Sequence, residues 1–332
     1  MTTSAGARVS LPSAVRRRCV ALGLLLSVLV IAVFLLPSAH GTPPSPSESD
    51  ERAADASLLE VGSARKLVAP PAEPAEIKIV SYNIRYRDGE DLQELIRLLK
   101  DDPEIGGAAL IGLQEVDRNK ERTGRANTPR LLAEALGMHY AWAAPPPPPK
   151  DGAKPPKKEP EEETGVAILS PYPLSDVERL VLPHEGPNRR RRAGIGATVR
   201  IGRDDVRFYS VHAETRMPVE KKVDHWRIVL DDLRRHPKIQ HVVVTGDFNT
   251  IKDKDVRAAR KLFTEAGFAT PFRDEDATFK VVFFDFKLDW VWLRGLTSAG
   301  HGIDKKVGLS DHWPLWVRAR LEKTAKTTPS TQ

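Results

Sequence analysis

Short apolar runs separated by polar turns recur along the chain from residue 77 onward. Ile77–Tyr82, Ala109–Gln114, Val166–Leu169, Ile195–Ile201, Val206–Val211, His241–Thr245, Leu288–Leu293 and Leu315–Leu321 read as strands: rich in Val, Ile and Leu, and too short for helices. Between them the apolar spacing changes to that of a helix. Asp91–Lys100 carries Leu92, Leu95, Ile96 and Leu99, and 218–235 carries Val219, Val223, Trp226, Leu230 and Leu233. Thr128–Leu136 opens on Thr128 as cap with Pro129 behind it and stops at Gly137. Helices interleave with strands, and 195–201 and 206–211 are joined tightly by Gly-Arg-Asp-Asp. The pattern predicts an α/β fold of mixed sheets covered by helices, not a regular βαβ array.

The flanks differ. Arg16, Arg17 and Arg18 precede an uncharged apolar run, Cys19–Leu36, which as a helix would span roughly 27 Å, just short of a hydrocarbon core of about 30 Å. With the small-x-small exit at Ala39-His40-Gly41, residues 1–41 fit a cleaved signal peptide. The length and continuous Leu/Val/Ile character fit an N-terminal membrane anchor equally. Either reading places everything after Gly41 outside the cytosol, in a periplasmic or extracellular location. Residues 42–75, rich in Pro, Ser, Ala and Glu, are expected to be a flexible tether. Residues 144–163, with Pro145 to Pro149 among Lys and Glu, are expected to be a disordered surface insertion, and 322–332 a polar tail. One domain, 76–321, remains.

Composition narrows the chemistry. The 40% hydrophobic and 29% charged residues exclude a disordered chain, and a net charge of +6 suits an anionic partner without demanding one. A single cysteine, Cys19, excludes an internal disulfide framework and a Cys-rich zinc site. Any bound metal must be held by carboxylates, imidazoles and amides.

Such groups stand at the ends of the predicted strands. Asn83 follows the first, Glu115 the second, His212 the strand 206–211, and Asp247 with Asn249 the strand 241–245; Asp289 lies inside an apolar segment, and Asp311-His312 precedes the last strand. A hard divalent cation needs only one or two carboxylates and keeps several waters, which Glu115 with the amide oxygen of Asn83 would satisfy. Asp247 and Asn249, at i and i+2, point to one face of an extended backbone, where an acid could activate a water and an amide could donate to a phosphate oxygen. His312 could be a cationic phosphate contact or a base with Asp289 fixing its tautomer. His212 with an acidic partner would make a second dyad, able to protonate a leaving oxygen.

The motifs Ser-Tyr-Asn83, Leu-Gln-Glu115, Gly-Asp247-Phe-Asn249, Leu-Asp289-Trp and Ser-Asp311-His312 occur in the order seen in the endonuclease/exonuclease/phosphatase superfamily, and the match covers nearly all of 77 to 321. The chain resembles that group, which includes pancreatic-type deoxyribonuclease, apurinic endonucleases, neutral sphingomyelinases and inositol polyphosphate 5-phosphatases. The resemblance implies a four-layer α/β sandwich of two mixed sheets that cleaves phosphoesters with Mg²⁺ or Mn²⁺. It implies metal ligation by Asn83 and Glu115 with Asp311 on the metal side, a water handled by Asp247, transition-state contacts from Asn249, and an Asp289–His312 pair. His212 resembles the catalytic histidine of the deoxyribonuclease and sphingomyelinase branches, with Glu163 near the place of its carboxylate partner. The 5-phosphatase Pro-Ala-Trp-Cys-Asp-Arg signature has no counterpart, and Thr164-Gly165 stands where bacterial relatives carry Gly-Asn. Of the arginines 189–192, Arg192 becomes the expected extra phosphate contact.

The expected protein is a monomeric, exported, metal-dependent phosphoesterase acting on a lipid headgroup, a small phosphodiester or nucleic acid. The alternatives are a secreted sequence-independent nuclease and a catalytically idle surface binding module on the same scaffold. The net charge and the lack of interleaved aromatic and basic residues speak against an extended nucleic-acid grip.

Overall fold

The strands of the computed structural model, which describes residues 57–146, 163–281 and 284–322, gather into two large sheets. The first has seven strands in the order β1-β4-β5-β3-β2-β14-β13 and the second five in the order β12-β9-β8-β7-β6. The first contains β1 (Leu59–Ser63), β2 (Ile77–Asn83), β3 (Leu110–Arg118), β4 (His139–Ala143), β5 (Glu163–Ser170), β13 (Leu296–Ile303) and β14 (Leu315–Leu321). The second contains β6 (Leu174–Val181), β7 (Ala193–Ile201), β8 (Asp204–His212), β9 (His241–Asp247) and β12 (Asp289–Arg294). Both sheets are mixed: β2·β3 and β8·β9 run parallel and their other pairings antiparallel. A separate ribbon, β10 (Phe279–Val281) and β11 (Phe284–Phe286), stands outside both.

Strand alternation builds the layers. Ile77 and Ile79 of β2 face inward, joining Ile195, Phe208 and Val243 of the second sheet in a core between the sheets, whereas Val80 and Tyr82 face outward. On that outer face lie α1 (Gly89–Asp101) and α2 (Thr128–Leu136), through Leu95, Leu99 and Leu132. The second sheet is covered by α3 (Val219–Arg234) and α4 (Asp253–Glu265), through Trp226, Val229 and Phe263. Helix, sheet, sheet and helix make the four layers of the expected sandwich. Toward the ends of β3 and β9 the sheets approach closely: a Cβ on Gly112 would collide with Thr245, and Gln114 Nε2 crosses to Ser210 Oγ at 3.0 Å.

Several elements depart from the sequence reading. The stretch 42–75 is not all tether, because Leu59–Ser63 pairs antiparallel with β4 and becomes the edge strand of the first sheet. Its alternation of Leu59, Glu60 and Val61 was masked by the Pro- and Ser-rich surroundings. β4, β6, β13, the ribbon and α4 were also unforeseen. In α2 the cap is Asn127, whose side chain accepts from Arg130 N at 3.1 Å, not Thr128. Residues 1–56, 147–162 and 323–332, holding the leader, most of the insertion and nearly all of the tail, lie outside the described residues. Among the described residues no helix is long and apolar enough to cross a membrane.

Candidate active site

Three neighbouring strands of the second sheet bring acids and an imidazole into one row. Asp247, the last residue of β9, pairs in register with His212 of β8 on one side and Asp289 of β12 on the other. Gly246 makes this possible. Its φ of 144° and the carbonyl of Val211 lying where a Cβ would go leave no room for a side chain just before Asp247. The opposite wall comes from the first sheet. Asn83 ends β2, and Glu115 is the extra residue of a bulge in β3, where the register with β5 slips between Gln114 and Val116. Glu115 has a φ of 55°, and its carbonyl accepts from Tyr86 N at 2.9 Å. In regular pleat Gln114 and Glu115 would face opposite sides; the bulge re-aims the acid toward the second sheet.

Asp247 Oδ2 is the point on which these groups converge. It accepts from Asn83 Nδ2 at 3.1 Å and lies 3.5 Å from His212 Nε2 and 3.7 Å from His312 Nε2, while Oδ1 takes the Asn249 N–H at 2.9 Å. Glu115 Oε1 is 3.9 Å from His212 Nε2 and 3.5 Å from Asn83 Nδ2. His312 Nδ1 and Asp289 Oδ2 are 2.8 Å apart. The two N–H groups of Leu288 and Asp289 both donate to Thr278 Oγ1, which fixes the start of β12. Asn249 is left-handed, with a φ of 52°. Its amide is tied to the β8–α3 loop, Nδ2 donating to Ala213 O and Oδ1 accepting from Thr215, and its carbonyl accepts from the buried Lys222 Nζ at 2.6 Å.

Burial separates the two histidines electrostatically. His212 is held well below the ordinary imidazole range by desolvation, assisted by the positive charges of Arg192, His312 and Arg190. Desolvation acts on His312 in the same sense, but Asp289 and Asp247 outweigh it and push its pKa up to about 9. Asp247 is raised, chiefly by desolvation and with Asp289 adding to it, against the lowering effect of His312. At neutral pH His212 is therefore neutral and His312 an imidazolium.

The sequence-predicted residues Asn83, Glu115, His212, Asp247, Asn249, Asp289 and His312 thus fall in one cleft. Asp311 lies beside it, its carboxylate 2.9 Å from the half-exposed guanidinium of Arg85. Two candidates have partners outside this row. Glu163 bonds Arg118 at 3.0 Å, and the acids beside His212 are Asp247 and Glu115. Arg192 gives its Nε to Glu214 at 2.9 Å, and its charge helps to lower the His212 pKa. Sequence fixes the order of charges, not which opposite charge a half-buried side chain finds. Arg85, Thr278 and Phe279, whose ring meets His312 edge-on at 4.7 Å, were missed. Arg85 alone carried a signal, standing at i+2 from Asn83.

Among the described residues Asp247, Asp289 and His312 present potential metal-ligand atoms within 4.8 Å of one another. Within that trio His312 Nδ1 pairs with Asp289 Oδ2 at 2.8 Å and Nε2 lies 3.7 Å from Asp247 Oδ2, so both ring nitrogens already face an acid. Glu115 and Asp311, each with more than a quarter of the side chain exposed, are the acids with an open side. Four carboxylates, those of Glu115, Asp247, Asp289 and Asp311, gather here, with Arg85, His212 and His312 as their ion-pair partners among the described residues and Lys287 acting on Asp289 through its charge. Oxygen donors in negative excess fit a hard divalent cation.

A sequence-family model described as the Endonuclease/Exonuclease/phosphatase family matches residues 80–312, from β2 to His312. The chain belongs to this family. No curated protein matches the sequence. Among solved structures, an endonuclease/exonuclease/phosphatase from Beutenbergia cavernae is similar with a TM-score of 0.59 at 18% identity, over 75% of this chain and 72% of that one. D. rerio TDP2 complexed with a single-strand DNA product is similar with a TM-score of 0.55 at 16% identity, over 74% of this chain and 100% of that one. ANGEL2, described as a 2′,3′-cyclic phosphatase and bound to adenosine-2′,3′-vanadate, is similar with a TM-score of 0.54 at 14% identity, over 80% of this chain and 99% of that one. At these identities the likeness is one of fold.

Proposed function

We propose that this member of the endonuclease/exonuclease/phosphatase family is a divalent-metal-dependent hydrolase of phosphoester bonds, acting by in-line attack of water. The observation that carries the reading is the convergence on Asp247 Oδ2 of His212, Asn83 and the His312–Asp289 pair, with Glu115 alongside. The family's own name lists cleavages of phosphoester bonds.

Glu115, Asn83 and Asp311 are the residues that would hold Mg²⁺ or Mn²⁺, which when bound would neutralise charge developing on the phosphoryl oxygens. Asp247, raised in pKa by its burial, orients the water and accepts its proton. His212, kept neutral, stands 3.5 Å away and, with its protonated form disfavoured, orients Asp247 and the water and leaves the proton on the carboxylate. His312, charged and oriented by Asp289, faces the phosphoryl group as a cationic donor and is the better placed source of a proton for the leaving oxygen. This reverses the role the sequence suggested for His212, because a histidine held neutral by burial is a poor acid. The second N–H of Asn249 Nδ2 is available to a phosphoryl oxygen, the first being taken by Ala213 O.

The basic start and apolar run of residues 16–36 support export, with the segment either removed or kept as an anchor. The deciding experiment is hydrolysis of bis(p-nitrophenyl) phosphate by the purified chain. Turnover is expected with Mg²⁺ or Mn²⁺, falling about 10²- to 10⁴-fold in His312→Ala. No turnover with either ion would overturn the reading.

A further inference from the structure

Just past Asn83 the backbone takes an unusual course. Arg85 and Tyr86 are consecutive left-handed residues, with φ of 48° and 46°, a region that bulky side chains enter only where their surroundings hold them there. Hydrogen bonds do so here. Arg85 N donates to Asn83 Oδ1 at 3.1 Å, Arg87 Nε donates to Arg85 O at 3.1 Å, and Tyr86 N donates to the Glu115 carbonyl at 2.9 Å. The last bond matters most, because Glu115 is the bulged residue of β3, itself left-handed and skipped in the register with β5. Its neighbour Gln114 gives its carbonyl to Ile84 N at 3.1 Å. Tyr86 thus holds the peptide whose direction sets where the Glu115 carboxylate points.

A guanidinium holds Tyr86 in turn. Arg122, in the 3-10 turn Glu121–Thr123 that follows β3, lies over the half-buried Tyr86 ring with its central carbon 3.4 Å from the centroid. Arg122 is itself pinned. Its Nε and Nη2 grip the two oxygens of Asp117 at 2.7 and 2.9 Å, and Asp117 is fully buried, so its charge depends on this partner. Thr164, where the sequence departs from the bacterial pattern, stands opposite Asp117 in the register of β3 with β5. Its hydroxyl donates to Asp117 Oδ1 at 2.6 Å and accepts from Arg122 Nη2 at 2.9 Å. Two bonds to a carboxylate along one edge and an aromatic ring against the face require a planar fork, which a lysine lacks. Asp117, Arg122 and Thr164 have no place in the chemistry proposed for the cleft.

We propose that Arg122, clamped by Asp117 and Thr164, is a positioning residue for the metal site: it fixes the Tyr86 ring, the Tyr86 N–H fixes the Glu115 peptide, and the bulge thereby keeps the Glu115 carboxylate aimed at the divalent ion. The inference rests on the proposed reading of Glu115 as a metal ligand. Charge alone would act the other way. Arg122 and Glu115 also feel each other's charge directly. Removing a cation from beside a metal-binding acid, and baring the Asp117 carboxylate, would tighten the hold on a divalent ion if only electrostatics counted. Loss of the clamp loosens that hold instead, by the roughly 10- to 100-fold that outer partners of metal ligands typically carry.

The test measures Mn²⁺ affinity of the full chain by electron paramagnetic resonance of the free ion, alongside hydrolysis of bis(p-nitrophenyl) phosphate. Mn²⁺ should bind about 10- to 100-fold more weakly in Arg122→Ala and in Tyr86→Ala. The second variant leaves the Asp117–Arg122 pair intact, and decides alone if Arg122→Ala does not fold. Arg122→Lys, with the charge but not the fork, should not restore wild-type affinity, and Tyr86→Phe, with the ring, should lose less than Tyr86→Ala. Unchanged or tighter Mn²⁺ binding in Arg122→Ala overturns the positioning role, as do full affinity in Arg122→Lys and equal losses in the two Tyr86 variants. So does a raised KM with Mn²⁺ affinity unchanged, which would make Arg122 a substrate contact. Mn²⁺ binding weakened as expected, with no hydrolysis even by the wild type, leaves the clamp standing and overturns the phosphoesterase reading alone. A wild-type chain that binds no Mn²⁺ overturns both.

Discussion

At the residue scale the candidate site depends on a few side chains that are not themselves chemical. Thr278 is the clearest. Its hydroxyl accepts from both Leu288 N and Asp289 N, so Thr278→Val strands two buried donors at the entry to β12, at about 1–3 kcal/mol each. Thermal unfolding should fall accordingly, and turnover should drop because Asp289 no longer holds His312; unchanged stability and activity would remove Thr278 from the account. Nothing in the sequence distinguishes this threonine from others in loops. The groups that do bear chemistry were legible, since Asn83, Glu115, His212 and Asp247 each close an apolar run and His312 stands just before one, where a strand ends or begins and a side chain can face a cleft. Glu163 and Arg192 have partners, Arg118 and Glu214, that lie 45 and 22 residues away, and order along a sequence does not give nearest charges in space.

At the scale of elements, two buried polar staples fix strands and helices around the cleft. Lys222 of α3, 2% exposed, bonds both the carbonyl of left-handed Asn249 and Asp255 of α4. Lys222→Met leaves Asp255 charged and buried without its partner. A loss of about 3–5 kcal/mol is expected, with kcat reduced more than KM is raised as Asn249 loosens. Equal kcat in a folded variant would contradict this positioning role. The second staple attaches β1. Desolvation would raise the Glu60 pKa, but bonds from Tyr140, Arg118, Asn127 and Arg130 outweigh it and lower it from 4.5 to about 2. A depressed acid stabilises the fold fully above pH 4.5 and ceases to do so as pH falls toward 2. Acid unfolding of the wild-type chain should therefore be steep across that window and shallower in Glu60→Gln, which should also be less stable at neutral pH; coincident pH profiles would exclude the staple. The edge strand itself was hard to read because alternation over five residues is weak against a Pro-rich background, and α4 because Asp, Lys and Arg fill most of its exposed face.

At the scale of the whole molecule, two sheets meeting face to face explain why residues from 83 to 312 share one cleft. The parallel pairs β2·β3 and β8·β9 send Asn83, Glu115, His212 and Asp247 to the same end of the sandwich, and β12 and the loop before β14 close it from the side. Mixed layering was legible from strand length and helix spacing; the partition into seven and five strands was not, since it depends on pairings between runs of similar composition. The family match, over residues 80–312, includes strands of both sheets and the residues of the cleft. The central claim is that the cleft is one catalytic centre requiring a divalent ion at Glu115. It is tested by stripping the chain with chelator and titrating Mg²⁺ back during hydrolysis of bis(p-nitrophenyl) phosphate, for the wild type and Glu115→Gln. Activity should vanish on stripping and return saturably with Mg²⁺ in the wild type, with the Gln variant shifted to much higher Mg²⁺ or inactive. Equal Mg²⁺ dependence in the two proteins, or full activity in the stripped wild type, would contradict it.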